Sequence, residues 1–495
     1  MLAAALFAAA SSGAQAPLSV DTLFRMDLPA RNVNSITFLA NGQMLLSGRM
    51  EFPGETNPRY LARVSANGQN DQSFPYLEGG SRLTAWNDRF YVQGSQTVRR
   101  LLPNGQIDPS FQHMNFDPYF NSAQGGDYHV FPDGRVLLGG YHTINAPHLG
   151  YQGGYNLVWF FNNGRLDTTR THRTGNGAVF GIKEYPAGTS GGLGGKFLIH
   201  QWGTQYEGQA VSKVIRVHAD GSLDNSFNAP IPQGYIYDML PLPDGRAYIA
   251  GEFRLENGND TIQLVRLMPD GSLDPTFNND LAFEIDTAHL SNSAGVLDVL
   301  DLGNGLLALA GDFSSVDGHI RGGLCIIDTT GAVVTHYLEG AGCGNYDYQL
   351  GLMTITYGVI SGITRAPSGH YYIWGAYHGY NDGTTNDTLQ RMVTRLHGGE
   401  IGLGVVEAER QQPVLGLSLA PNPADAWVAI DYDLLGAGSG RLEVLDALGR
   451  RVHERALGGS KAQVVLDTRP WGEGLYTVRL TDGNGRMRSE RLIAR

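Results

Sequence analysis

The chain is predicted to be all-β, a seven-bladed β-propeller followed by a small immunoglobulin-like β-sandwich. Three observations predict it. One phrase is written four times, as "GQNDQSFPYL" from Gly68, "GQIDPSFQHM" from Gly105, "GSLDNSFNAP" from Gly221 and "GSLDPTFNND" from Gly271. An apolar strand ending in glycine returns at a period of roughly 45 to 65 residues, the spacing of propeller blades. Glycine is also abundant, 67 of 495 residues, with Asn-Gly and Asp-Gly pairs throughout, which favours short strands joined by tight turns.

The first residues, "MLAAALFAAASSGAQAPL", read as an export signal spanning 1–16. An apolar stretch from Leu2 to Ala10 precedes Ala14-Gln15-Ala16, an A-x-A cleavage pattern. No later stretch approaches the ~18 apolar residues of a transmembrane helix. Export permits a disulfide between Cys325 and Cys343, and the sequence leaves these two thiols bridged or free. Two cysteines are too few for a metal framework.

Residues 17–404 hold the repeats. The glycine-ended strands are "MLLSG" to Gly48, "FYVQG" to Gly94, "VLLGG" to Gly140, "AYIAG" to Gly251, "LALAG" to Gly311 and "YYIWG" to Gly375; "FLIHQ" to Gln201 fills the gap. A turn such as Pro132-Asp133-Gly134 precedes each, and a second apolar strand such as "YLARV" or "QLVRL" follows. With the repeated phrase as a fourth strand, each module makes one blade. Within the phrase an arginine stands eight residues before an aspartate: Arg63 and Asp71, Arg100 and Asp108, Arg216 and Asp224, Arg266 and Asp274. Phe74, Phe111, Phe227 and Phe277 follow at fixed spacing. An ion pair across the hairpin, or an aspartate capping the turn, explains this spacing without a ligand. Module six has Ile326 and Val334 at these places, and module three has Trp159 with Asp167. The seventh module lacks its Asp-x-x-Phe segment. "VDTLF" (Val20 to Phe24) is expected to supply it beside Arg395 and close the ring.

These modules resemble the delta-60 repeat family, written roughly "PDGKILVGG…RLNADGSLDTTF", most clearly at "FPDGRVLLGG", "LPDGRAYIAGEF" and "RLMPDGSLDPTFNND". The resemblance implies a propeller and brings no catalytic residues with it.

A connector, 405–416, leads to residues 417–495, where alternating strands surround Asn-Gly and Leu-Gly turns. This tail resembles the type A C-terminal sorting domain of the type IX secretion system. Pro421, Asn422 and Pro423 match its opening, Gly449 lies in its central "D-x-x-G-R", and Gly474 and Tyr476 lie in its "G-x-Y" strand. The resemblance implies export across both membranes, recognition by the type IX machinery, and release or attachment at the cell surface. The domain acts there as an address, without a part in the mature activity.

The net charge of −12 and the lack of any Lys/Arg run argue against a phosphate-backbone partner, so no nucleic acid is expected. His142, His148 and His200 read as solvated or hydrogen-bonded side chains, and neither H-E-x-x-H nor a nucleophile elbow is read in the chain. "RLENGNDTIQ" (Arg254 to Gln263) and "GYNDGTTNDT" (Gly379 to Thr388) have calcium-ligand composition but lack the full loop pattern, so calcium is the sole cofactor considered and none is assigned. Trp202, Tyr206, Tyr377 and Tyr380 read as packing before sugar stacking. Loop lengths vary on a constant frame, which favours a surface platform binding glycan or protein. The alternatives are a polysaccharide hydrolase or lyase, needing paired carboxylates in one pocket, and a surface protein without a ligand.

Overall fold

The apolar strands of each repeat pair antiparallel with the strand before and the strand after, and the glycine-ended segment lies in the middle. The computed structural model describes residues 16–402 and 415–495, save 27, 78, 95, 257, 287–292, 400, 448 and 484–486. The export signal therefore lies outside the described residues except for Ala16, as does the connector except for Leu415 and Gly416. The chain divides into two units, Met1–Leu403 and Gly404–Arg495. Among the described residues no helix is long and apolar enough to cross a membrane.

In the first unit the described residues form seven three-strand meanders, with middle strands Met44–Glu51, Arg89–Gln93, Val136–Ala146, Phe197–Gln201, Ala247–Arg254, Leu306–Asp312 and Tyr371–Asn381. First strands of successive sheets touch one another around an axis, and the seventh, Val359–Arg365, touches the first, Ala30–Phe38. Between the second and third sheets the link is polar: Tyr128 Oη donates to Tyr91 O at 3.1 Å and Arg82 pairs with Asp127 at 2.6 Å. The fold is a β-propeller whose apolar clusters fill the spaces between sheets.

The repeated phrase differs from the expected fourth strand. Among the described residues its ladder contact is one bridge per sheet, such as Leu267 with Leu273, after which the chain curls into a turn. The aspartate causes the curl. In Asp274-Pro275-Thr276-Phe277 the Asp274 carboxylate accepts the Thr276 N–H at 2.8 Å and its carbonyl accepts the Phe277 N–H at 3.3 Å. Asp71, Asp108 and Asp224 cap in the same way. Gly271 reverses the chain before this turn at φ +90, and a Cβ there would lie 2.7 Å from the Asn228 backbone, so only glycine fits.

The arginines bind this turn from behind and reach onward to the next sheet. Arg266 Nε donates to Asp274 at 2.7 Å, Nη2 to Thr276 Oγ1 at 2.9 Å and Nη1 to the Thr329 carbonyl of the sixth sheet. Its guanidinium also lies 5.0 Å from the Phe277 ring centre. Arg63 reaches Pro103 O, Arg100 reaches Asn162 O, and Arg216 reaches Pro269 O. Phe74, Phe111 and Phe227 pack against those three arginines. In the third sheet Trp159 takes the arginine's place beneath Gly221, and Arg173 makes the onward link, to Asp220 O at 2.8 and 3.0 Å. In the sixth, Ile326 and Val334 are buried in an apolar cluster, so neither charge needs a partner.

The ends of the ring meet in the same geometry. Val20 bridges Leu396, Arg395 Nε donates to Asp21 at 2.8 Å, Nη1 reaches Ala66 O of the first sheet at 3.1 Å, and Phe24 lies 5.1 Å from the guanidinium. Here too the segment is a bridge followed by a turn, with Phe24 N–H on Asp21 O.

In the second unit Gly416–Ala420, Trp427–Asp433 and Lys461–Asp467 form one sheet; Arg451–Gly458, Ser439–Leu445, Gly474–Asp482 and Met487–Ala494 form another. Both contribute to a single apolar cluster that includes Val428, Ile430, Val444, Val478 and Leu480. Asn422, between Pro421 and Pro423, donates to Arg491 O at 2.7 Å and accepts the Ile493 N–H at 3.0 Å, which fixes the motif to the last strand. Gly449 turns at φ +77 beside the Asp446–Arg450 pair, Gly474 starts its strand opposite Ala494, and Tyr476 is buried with its hydroxyl on Gly472 O.

Burial would raise the carboxyls of Asp108, Asp224 and Asp274, but hydrogen bonds from Ser110, Lys196 and Ser226, and Thr276, joined by the arginines, hold all three well below the ordinary range. A depressed carboxyl stabilises the fold above its unfolded value of about 4, and that stability is lost as the pH falls further. Asp274→Ala should cost about 3–5 kcal/mol by stranding buried Arg266, whereas Asp71→Ala, in a more exposed pair, should cost about 1 kcal/mol. Urea unfolding of the two variants at pH 7, and of the native chain from pH 7 to 2, checks both statements.

Candidate functional site

The first strand of each sheet has an unpaired edge toward the ring axis, and its N–H groups need acceptors. A side chain six residues before the Asn-Gly or Asp-Gly turn supplies one in four sheets. Ser35 Oγ accepts Leu83 N–H at 3.3 Å, Asp127 accepts Ile182 N–H at 2.9 Å, Asp238 accepts Val299 N–H at 3.1 Å and Asp298 accepts Ile363 N–H at 2.8 Å. Each acceptor sits on one first strand and each donor on the next, so these bonds also join neighbouring sheets.

Cations complete the channel. Arg82 lies 2.6 Å from Asp127, and Lys183 lies 2.6 Å from Asp238. Both cations remain partly exposed, 38% and 35%, although protein surrounds them. Among the described residues Asp298 has no such cation at contact distance, and it faces Asp238. Burial first, then the Asp238 charge, pushes its carboxyl up toward neutrality.

Where the first strand bulges, the extra residue is aimed outward at the channel mouth. Phe180 and Tyr237 occupy such bulges in the fourth and fifth sheets. The residue after the middle strand's glycine, or after Gln201, is Arg49, Tyr141, Trp202, Glu252, Asp312 or Ala376; Arg49, Tyr141 and Trp202 line surface clefts, whereas Ala376 is buried in an apolar cluster. The frame is constant and this position varies. Gly251 must be small because a Cβ there would lie 2.1 Å from Tyr235 O.

On sheets three to five this position and the bulges form an aromatic cleft. Tyr141, Phe180 and Trp202 line it with Gln124, Asn176 and three residues of the loop 175–178, around a volume of ≈ 510 Å³. Tyr235 adds a ring 5.0 Å from Trp202, and Phe180 lies 6.4 Å from Trp202 edge-on. These four rings are 37–51% exposed, high for large apolar side chains. Phe180 also lines a cavity of ≈ 190 Å³ with Arg82, Asp127, Lys183 and Asp238, so the cleft and the channel charges share a wall.

The aromatic residues singled out in the sequence divide. Trp202 is exposed in the cleft, whereas Tyr206, Tyr377 and Tyr380 are buried in the sheets. His142 is buried between Ser122 Oγ and Gly139 O, and burial lowers its ring to about 4. His200 is buried and also lowered to about 4, and His148 is exposed beside Tyr119. In the loop 379–388 Asp382 accepts backbone N–H groups from Thr384, Thr385 and Val20, and Asp387 pairs with Arg25 at 2.6 Å. Their oxygens are thus committed within the protein. Cys325 and Cys343 are free thiols, each pushed up to about 12 by burial. The spacing G-x-S-x-G does occur once, at Gly188–Gly192, as a correction to the sequence reading. It lies in a short surface 3-10 turn, Ser190–Gly192, where exposed Ser190 donates its N–H to Pro243 O, and not at a sharp strand-to-α-helix elbow.

Tyr141, Phe180, Tyr235 and Tyr237, and the channel charges Arg82, Asp127, Lys183, Asp238 and Asp298, are not reached by motif reasoning. For Tyr141 the signal is positional, one residue past the strand-end glycine, and for Asp127, Asp238 and Asp298 it is six residues before the turn; the other five have no such signal in the sequence.

A carboxyl raised on folding destabilises the fold as the pH rises from its unfolded value through its folded one. Asp298→Asn keeps an acceptor for Ile363 N–H and removes that titration. The variant should exceed the native chain in stability by a margin that is small at pH 4 and grows up to pH 8, as read by thermal melts at both pH values.

Residues 195–227 and 242–277 match the family described as a domain of unknown function (DUF5122) beta-propeller, and residues 418–495 match the secretion system C-terminal sorting domain. No curated protein matches the chain. Among solved structures, an extracellular domain from B. thetaiotaomicron, described as part of a hybrid two-component system, is 10% identical with a TM-score of 0.39. That alignment covers 94% of this chain and 57% of the other, so the chain spans little more than half of that neighbour. The Neurospora crassa Pan2 WD40 domain is 8% identical, covering 78% of this chain and 99% of that one, with a TM-score of 0.33. A gluconolactonase from Xanthomonas campestris is 12% identical, covering 78% and 96%, with a TM-score of 0.31. The chain carries β-propeller modules of the DUF5122, delta-60-like kind and ends in a secretion-system C-terminal sorting domain, which directs it to the cell surface or the extracellular space.

Proposed function

We propose that this exported propeller is a binding platform whose aromatic cleft on sheets three to five holds a neutral glycan. The observation that carries the reading is the exposed Trp202–Tyr235 pair, rings 5.0 Å apart, with Phe180 edge-on to the indole. Exposed rings present apolar faces on which the C–H faces of a sugar stack, and the Gln124 amide lines the same cleft to meet hydroxyls. Lys213 lies 5.6 Å over the Trp202 ring. The chain carries 48 acidic against 36 basic residues, which disfavours an acidic polysaccharide. The sorting domain serves delivery by the type IX machinery, and the propeller serves recognition.

Affinity electrophoresis of the full chain through gels containing neutral glucans, xylans or mannans tests the reading. At least one polysaccharide should retard the protein. Trp202→Ala should weaken that binding about thirty-fold, the ~2 kcal/mol expected for truncating an aromatic anchor. Absence of retardation across the panel, or retention unchanged in the variant, would sink the proposal. A polysaccharide that is retarding and also shortened would move the reading to a hydrolase or lyase using the Asp238–Asp298 pair.

A further inference from the structure

Three metal-ligand side chains meet where the two ends of the ring are fastened. Asp21 follows the bridge residue Val20, His397 follows its partner Leu396, and His370 closes the turn of the adjacent hairpin. One ligand atom of each lies within 4.8 Å of the other two. His397 Nε2 is buried without a hydrogen-bond partner, 4.0 Å from Asp21 Oδ1, too far for a direct bond. Buried polar atoms are normally satisfied, and an orphan aimed at two other donors calls for a bridging species.

We infer that Asp21, His370 and His397 bind one divalent transition ion of the Zn²⁺ class, joining the N-terminal segment to the last sheet. Two imidazoles and one carboxylate select such an ion over calcium or magnesium, which prefer all-oxygen cages. Bonds of about 2.0–2.1 Å at tetrahedral angles place ligand atoms about 3.3 Å apart, so the three side chains need to close by at most about 1.5 Å. Asp21 is already oriented for this role: Arg395 holds Oδ2 at 2.8 Å and Leu23 N–H donates to Oδ1 at 2.9 Å. His370 Nδ1 accepts a long bond, 3.3 Å, from Gly398 N–H, and ligation through either ring nitrogen gives that bond up. Three protein ligands leave the remaining positions to water.

The test uses the full chain without an affinity tag, stripped with a chelator and titrated with Co²⁺ as a coloured probe. One equivalent should produce visible d–d bands that Zn²⁺ displaces. His370→Ala and His397→Gln should each weaken Co²⁺ binding tenfold or more, while His148→Ala, at an exposed loop, should leave it unchanged. Circular dichroism and melting in metal-free buffer show that the variants are folded, and His397→Gln keeps the packing where alanine would not. No bands in the native chain, or bands that survive both substitutions in folded protein, would overturn the inference.

Discussion

A guanidinium buried between an aspartate turn and a phenylalanine ring, and extended to a carbonyl in the neighbouring sheet, is the interaction on which the ring depends. Each blade is a thin meander with apolar faces, and its outer segment makes a single bridge to the strand before it. Ladder hydrogen bonds alone would leave that segment frayed. The aspartate turns the chain sharply, the arginine neutralises the aspartate, and the aromatic ring shields both from water. Because Arg266, Arg216 and Arg100 are almost fully buried, each pair stabilises only while complete. The apolar solution in the sixth sheet and the tryptophan in the third show that the geometry tolerates other occupants of the same space.

The inner edges pose the opposite problem. First strands face a channel wide enough for water, and their N–H groups require acceptors there. Aspartates at the position after the bulge satisfy them, at the cost of gathering negative charge near the axis. Arg82 and Lys183 offset two of the three carboxylates. The third, Asp298, holds its proton more tightly than an ordinary carboxyl. The channel charges are thus explained by strand edges before any ligand is invoked. The aromatic rings at the mouth have no such structural duty, and for that reason they carry the binding proposal.

Closure concentrates the whole ring's topology at one place. Arg395, Asp21 and Phe24 repeat the inter-sheet staple with residues from opposite ends of the chain, separated by more than 370 positions. Only at this junction do His370 and His397 approach an aspartate of the staple, which makes the fastening the site where an added ligand bond would act on the ring as a unit.

Turn chemistry and repetition determine much of this from sequence alone. Gly271, Asp274 and Phe277 announce a turn because positive φ, an Asx cap and an apolar anchor are local properties, and the return of the phrase implies a repeating blade. Arg266 and Asp274 are legible as a pair because eight residues across a tight hairpin bring them together. The tail's Pro421-Asn422-Pro423 and "G-x-Y" segments are legible for the same local reason. The tertiary structure decided what depends on neighbours in other sheets. It made the phrase a turn instead of a strand, and it separated exposed Trp202 from buried Tyr206, Tyr377 and Tyr380. It also brought Phe180 and Tyr235 beside the indole, and placed Asp238 against Asp298. Residues dozens of positions apart meet there only because successive bulged strands converge on a common axis, and no local pattern encodes that convergence.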